Sequence, residues 1–235
     1  DGEEVASHVF DAGADNPMAQ PQAWHRVEAL TDDVEWFLEF YCEPKDFFPK
    51  KYNCNPVHSE VLEAMESLSP GKALDLGCGQ GRNALFLAQH GFEVTAVDQN
   101  ELALEILQSI VEQEDLEMTV GLYDINSAAL TQTYDLIVST VVLMFLQADR
   151  IPAIIRNMQD QTNPGGYNLI VCAMDTEDYP CQVPFSFTFK EGELADYYKD
   201  WELIKYNENP GHLHRRDEHG NRIALRFATM LAKKK

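Results

Sequence analysis

Apolar and polar positions divide this chain into two regimes. Residues 1–20 are acidic, carry Gly, Asn and Pro, and show no period, which predicts a mobile arm. Residues 23–30 and 34–42 are rich in aromatic and β-branched side chains and flank Thr31-Asp32-Asp33, so a β-hairpin is expected there. Glu43-Pro44-Lys45-Asp46 is read as a linker, and residues 55–68 as a helix capped by Asn55, with Pro56 in its first turn and Val57, Val61, Leu62 and Met65 on one face. From residue 70 the pattern alternates. Strands are predicted at Lys72–Leu76, 93–97, 117–123, Tyr134–Thr140 and 167–174, and helices at 82–90, Glu101–Gln113 and 150–161. A helix at 192–198 and strands at 201–207 and 222–231 complete the series. Strands buried on both sides and separated by helices imply an α/β fold: a mostly parallel, seven-stranded sheet with helices on both faces. The last two strands, joined by a loop, are expected to add an antiparallel hairpin. Pro164-Gly165-Gly166 reads as a plain tight turn.

Composition narrows the partners. Of 235 residues, 45% are hydrophobic and 24% charged, ordinary for a globular chain with a sizeable core. No apolar run approaches the roughly 20 residues a membrane-spanning helix needs. Asp1-Gly2-Glu3-Glu4 has neither an initiator Met nor a basic stretch and is expected to be a cut boundary, not a signal peptide. The formal charge is −21, which repels nucleic-acid phosphates and anionic lipid; neither is expected as a partner. The five cysteines are odd in number and lack Cys-x-x-Cys spacing, so no disulfide framework and no metal site is suggested; reduced thiols point to a cytoplasmic protein. Oligomeric state is not legible.

The chemistry concentrates in Ala73-Leu74-Asp75-Leu76-Gly77-Cys78-Gly79-Gln80-Gly81-Arg82-Asn83. An apolar strand runs into three alternate glycines and then a helix. Glycines allow a sharp turn and close ligand approach, and the helix start offers unpaired N–H groups. Dinucleotide sites use related turns, but three features point elsewhere. Asp75 would repel a pyrophosphate and suits the amino group of the methionine part of S-adenosylmethionine (SAM), through water. The spacing is G-x-G-x-G, not G-x-G-x-x-G. Asp98, at the end of the second strand with Gln99 beside it, can accept both hydroxyls of a ribose. After the third strand, Asp124 can accept from an adenine amino group with Ile125 against the ring. Thr140 and Val141, at the carboxyl end of the fourth strand, are placed to face the reacting centre. The densest basic cluster before the C-terminus is His214-Arg215-Arg216 with Arg222 and Arg226, and Arg forks suit oxyanions. Arg222 and Arg226 stand four apart on a strand and share a face.

Asp75 to Asn83 resembles motif I of class I SAM-dependent methyltransferases, a Rossmann-like fold. Longer blocks resemble the TehB family of tellurite-resistance methyltransferases. They include Lys51-Tyr52, His58-Ser59-Glu60-Val61-Leu62-Glu63-Ala64 and Ser139-Thr140-Val141-Val142-Leu143-Met144-Phe145-Leu146. Further ones are Phe189-Lys190-Glu191-Gly192-Glu193-Leu194, His214-Arg215 and Gly220-Asn221-Arg222-Ile223. The resemblance covers about residues 46–235 and implies a methyltransferase domain there. It implies SAM as cofactor, held by Tyr52, Asp75, Gly77, Gly79, Gly81, Asn83, Asp98, Gln99, Asp124, Ile125, Thr140 and Val141, with S-adenosylhomocysteine (SAH) as product. It also implies a small tellurite- or selenite-type oxyanion as acceptor, at His214, Arg215 and Arg222. Residues 1–45 look like an arm and hairpin left from a cupin-like β domain, with His25 a structural remnant. Asn53-Cys54-Asn55-Pro56-Val57 departs from the family pattern. Methylation of another small acceptor, an oxidoreductase on a similar fold, and a non-catalytic module that kept the fold remain the alternatives.

Overall fold

The structure, a computed structural model, describes residues 42–216 and 220–235, with the backbone alone for 214–216. The hairpin expected over residues 23–42 lies outside the described residues, Cys42 excepted. Two helices come first, α1 (Pro44–Tyr52) and α2 (Ser59–Ala64). The chain then alternates through β1 (Lys72–Leu76), α3 (Arg82–Gln89), β2 (Glu93–Asp98), α4 (Glu101–Gln113), β3 (Met118–Leu122) and β4 (Tyr134–Thr140). It continues through α5 (Ile151–Asp160), β5 (Thr162–Ala173), α6 (Glu193–Tyr197), β6 (Glu202–Arg216) and β7 (Arg222–Lys233). The sheet has seven strands in the order β3-β2-β1-β4-β5-β7-β6. β1 to β5 pair in parallel, and β7 runs antiparallel to both β5 and β6. This is the expected Rossmann-like sheet with its antiparallel hairpin. Strand order reverses between β1 and β4, and a crevice opens at such a switch point, outside the carboxyl ends of the strands.

Two-residue alternation sorts the core into two layers. Ala73, Leu136, Val138 and Leu169 meet Val61, Leu85, Leu107 and Ile110, so α2, α3 and α4 cover one face. Leu74, Ile137, Ile170 and Cys172 meet Ile151, Ile155, Met158 and Leu194, so α5 and α6 cover the other. Fully burying each large side chain contributes roughly 1.5–3 kcal/mol. Within the second layer the Tyr198 hydroxyl donates to Asn168 Oδ1 at 2.7 Å, Asn168 Nδ2 to Thr162 Oγ1 at 2.7 Å, and the Thr162 hydroxyl to the Met158 carbonyl at 2.7 Å. This buried chain leaves each polar group partnered and pins α5 and the end of α6 to β5.

Four local readings are corrected. The supposed linker at residues 43–46 is the start of α1: Pro44 occupies the first turn, where its missing N–H costs nothing, and Phe48 is buried. Residues 55–57 are not helical and α2 starts later, because His58 is the cap; its Nδ1 accepts the Glu60 N–H at 3.2 Å. The Pro164-Gly165-Gly166 turn is a bulge inside β5, where the register jumps between Tyr134↔Thr162 and Leu136↔Tyr167. There the Gly165 N–H donates to the Lys234 carbonyl and the Lys234 N–H to the Gly166 carbonyl, closing β7 onto β5. Finally, β6 runs through Pro210 and Gly211 to Arg216, far past residue 207. It is an edge strand of the sheet, where a missing N–H breaks no ladder.

Candidate active site

The turn leaving β1 builds the floor of the crevice. The N–H groups of Gly77 and Cys78 both donate to the Val97 carbonyl, at 2.8 and 3.0 Å, tying the turn to the end of β2. Gly77, Gly79 and Gly81 all have positive φ, at 84°, 54° and 83°. Their neighbours differ. A Cβ on Gly77 would stand 2.6 Å from the Val142 methyls, and one on Gly81 2.3 Å from Leu107 Cδ1. A Cβ on Gly79 would meet no atom within 4 Å. Gly77 and Gly81 are therefore glycine for packing, and Gly79 leaves a bare backbone surface facing open space.

Gly81, the residue before α3, has no side chain to cap the helix, and Asp75 does so from β1. Its Oδ2 accepts the Ala84 N–H at 3.1 Å, while the residue is only 1% exposed. Burial is the largest influence on this carboxyl and pushes it up to about 7, against the Ala84 hydrogen bond and nearby Arg82, which lower it. Asp98 clamps the turn from the other side: Oδ2 accepts the Gly79 N–H at 2.8 Å and Oδ1 the Asn100 N–H at 2.9 Å. Each oxygen keeps a lone pair for a further donor.

Asn83 joins three segments. Its Oδ1 accepts the His58 N–H at 3.1 Å and its Nδ2 donates to Thr140 Oγ1 at 3.0 Å. It thereby fixes the stretch before α2 against the end of β4. Val141 follows with φ of 63°, a costly conformation for a β-branched residue, held by its N–H donating to the Val171 carbonyl at 2.7 Å. Together these segments enclose a cavity of about 290 Å³ lined by Gly77, Gly79, Asn83, Thr140, Val141 and their neighbours.

Five of the residues expected at the cofactor site thus line one cavity, with Asp98 bonded to its glycine turn and Asp75 and Gly81 supporting it from below. The Tyr123 N–H donates to the Asp98 carbonyl at 2.9 Å, which brings the residues after β3 to the same end of the sheet. Asp124 is exposed there and accepts from the Asn126 N–H and Nδ2, and Ile125 is buried. Gln99 is exposed just past β2. Tyr52 departs from expectation: it lies in a separate groove with Ile106, Ser109 and Gln113 of α4, its hydroxyl donating to Glu114. The helical register of α1 carries it there. Arg222 is exposed on β7, beyond the last β5–β7 pair at Ala173↔Phe227. The side chains of His214 and Arg215 lie outside the described ones. Cys54, Asn55, Gln80, Arg82 and Val142 line the cavity without having been singled out. Three of these adjoin predicted site residues and were open to inference; Cys54 and Asn55 come from the stretch between α1 and α2, which tertiary contacts such as the His58–Asn83 bond set against α3 and no local pattern encodes.

The family model described as "Tellurite resistance protein TehB" matches residues 40–231. The chain belongs to the TehB family. A second model, "TehB-like domain", matches residues 1–38. A relative named "Probable S-adenosyl-L-methionine-dependent methyltransferase TehB", from Haemophilus influenzae strain 10810, is 56% identical over all of this chain and 82% of its own length. A relative named "Hemagglutinin 1", from Eikenella corrodens, is 52% identical over all of this chain and 78% of its own length. The crystal structure of TehB from Haemophilus influenzae superposes with a TM-score of 0.92 at 56% identity, covering all of this chain and 82% of that one. The TehB fold is thus the fold described above. None of the five cysteines forms a disulfide. No helix among the described residues is long and apolar enough to cross a membrane.

Proposed function

We infer that this chain is a SAM-dependent methyltransferase, and we propose that it methylates a small chalcogen oxyanion of the tellurite or selenite type. The observation that carries the first part is the crevice itself: a bare glycine backbone at Gly79, bonded directly to the carboxylate of Asp98. The residues present suit SAM. Asp98 retains lone pairs for the ribose hydroxyls. The surface over Gly79 admits the methionine end, and Asp75, whose carboxyl burial pushes up to about 7, gains from a nearby ammonium. A pyrophosphate would meet the carboxylates of Asp75 and Asp98 against the single cation, Arg82, that lines the cavity. Bound SAM supplies a methyl group on a positively charged sulfur.

The chain's own contribution is positioning and electrostatics. Tellurium(IV) or selenium(IV) in its oxyanion holds a lone pair. That pair becomes the new bond to carbon while the sulfur–carbon pair returns to sulfur, so no proton needs removing and no general base is required. Thr140 and Val141 shape the end of the cavity where transfer occurs, and Asn83 holds Thr140 in place. His214, Arg215 and Arg222 receive the oxyanion against the −21 background. The family name and the density of cations on the β6–β7 hairpin support this choice of acceptor. Unpaired thiols suit a reducing cytoplasm.

The test is transfer of labelled methyl from SAM to tellurite or selenite by wild type and Arg215→Ala. Losing one charged contact to the acceptor lowers turnover about 10- to 100-fold while SAM affinity holds. Parallel loss of SAM binding would reassign Arg215. SAM binding without transfer to either oxyanion would favour another small acceptor.

A further inference from the structure

Between β5 and α6 the chain crosses the carboxyl edge of the sheet as an irregular strap, residues 175–190, tied down along its length. The Phe187 N–H donates to the Met144 carbonyl at 3.3 Å, and the Phe145 and Phe185 rings meet edge to face at 5.4 Å. These contacts seat the strap on the turn that follows Val141 and Val142, two cavity-lining residues. At its start, Lys190 holds Asp175 at 2.7 Å. A further tie is Arg226 of β7. Its Nη1 donates to Asp178 Oδ1 at 3.1 Å, and its Nη2 stands 2.8 Å from Asp178 Oδ2.

That pair is unequal. Arg226 belongs to the sheet: its carbonyl accepts the Met174 N–H at 2.9 Å, its side chain is 20% exposed, and the Tyr179 ring lies 5.9 Å from the guanidinium carbon. Its buried Nε has no hydrogen-bond partner among the described residues. Asp178 is 64% exposed and sits on the strap. The cation is built in, and the carboxylate is the removable half. A carboxylate forked on a guanidinium uses the same two parallel donors that any small oxyanion would use. Arg226 also shares its strand face with Arg222, placed at the acceptor end above.

We propose that Arg226 is an additional acceptor-anion subsite and that Asp178 occupies it as an internal competitor, displaced when the oxyanion enters. This rests on the reading that the acceptor is an oxyanion. The strap then serves selectivity: a ligand must bring enough negative charge to exchange with a carboxylate already in place. The exchange is feasible because the Asp178 half is open to water, and a pair screened by solvent on one side is a weak latch, holding by about fivefold or less.

The test measures selenite binding to the SAH-loaded chain by titration calorimetry, alongside KM and kcat for selenite methylation. Asp178→Asn tightens selenite binding and lowers its KM by up to about fivefold, with kcat and SAH affinity unchanged. Arg226→Lys, which keeps the charge and loses the fork, weakens selenite binding and raises KM. If Asp178 were only a clasp for the strap, Asp178→Asn would leave selenite binding unchanged or weaken it, and the proposal falls alone. If the wild type neither binds nor methylates selenite or tellurite while still binding SAH, the proposal falls together with the oxyanion reading.

Discussion

At pH 7 the Asp75 carboxyl stands near the middle of its titration, because burial pushes it up to about 7. In the unfolded chain it titrates near 4. The folded chain therefore keeps a proton that the unfolded chain has lost. The resulting stabilisation is complete below about pH 4 and disappears as pH rises through 7. Asp75→Asn keeps an oxygen for the Ala84 N–H and cannot ionise. In urea titrations of the ligand-free chain, the variant gains stability relative to wild type between pH 5 and pH 8; an unchanged difference would mean the group does not titrate in that window. A neighbouring ammonium reverses the preference. SAH affinity of the wild type accordingly rises from pH 6 to pH 8, and the rise is lost in Asp75→Asn. Asp98 acts on the ligand side: Asp98→Ala removes the ribose acceptor and the anchor of the Gly79 N–H, and weakens SAM binding about 100-fold while the fold persists. The sequence named both residues because each stands at the end of a strongly patterned strand. That Asp75 also caps α3, across the missing side chain of Gly81, depends on how β1 and α3 pack.

The strand–turn–helix from β1 to α3 was legible because apolar strand, spaced glycines and amphipathic helix all agree. Its glycines separate by experiment. Gly79→Ala places a methyl in open space at φ of 54°, costing roughly 1–2 kcal/mol of stability, and obstructs the cofactor surface. Gly81→Ala drives a methyl to 2.3 Å from Leu107 and costs several kcal/mol through overpacking added to backbone strain. Thermal unfolding and SAM titration distinguish them: the first variant remains folded and loses binding, the second loses stability first. Equal loss of stability in both would remove the distinction drawn between a ligand-facing and a packing glycine. Elements misread from the sequence carry contrary local signals. Glu43-Pro44-Lys45-Asp46 is polar and starts with a breaker, yet Phe48 recruits it into α1. Pro210 and Gly211 look like a strand end, and only their position at the sheet edge lets β6 continue. Tyr52 was assigned by family resemblance alone, and the turn of α1 that carries it faces α4.

For the whole molecule, the formal charge of −21 and the basic hairpin work in opposition. The general field repels an anionic acceptor, so capture relies on close contacts with β6 and β7, which extend beyond β5 at the carboxyl edge. Moderate salt screens the repulsive field more than such contacts. KM for the oxyanion is expected to fall between 10 mM and 150 mM salt, and a steep rise would mean long-range attraction dominates instead. The switch point between β1 and β4 places the glycine turn, Asp98 and Thr140 at one end of the sheet, and every functional assignment here depends on what occupies that opening. Titration calorimetry of SAH and of NAD against wild type and Asp98→Ala decides it. The wild type should bind SAH and not NAD, with SAH about 100-fold weaker in the variant; binding of NAD, or SAH affinity indifferent to Asp98, would contradict the assignment.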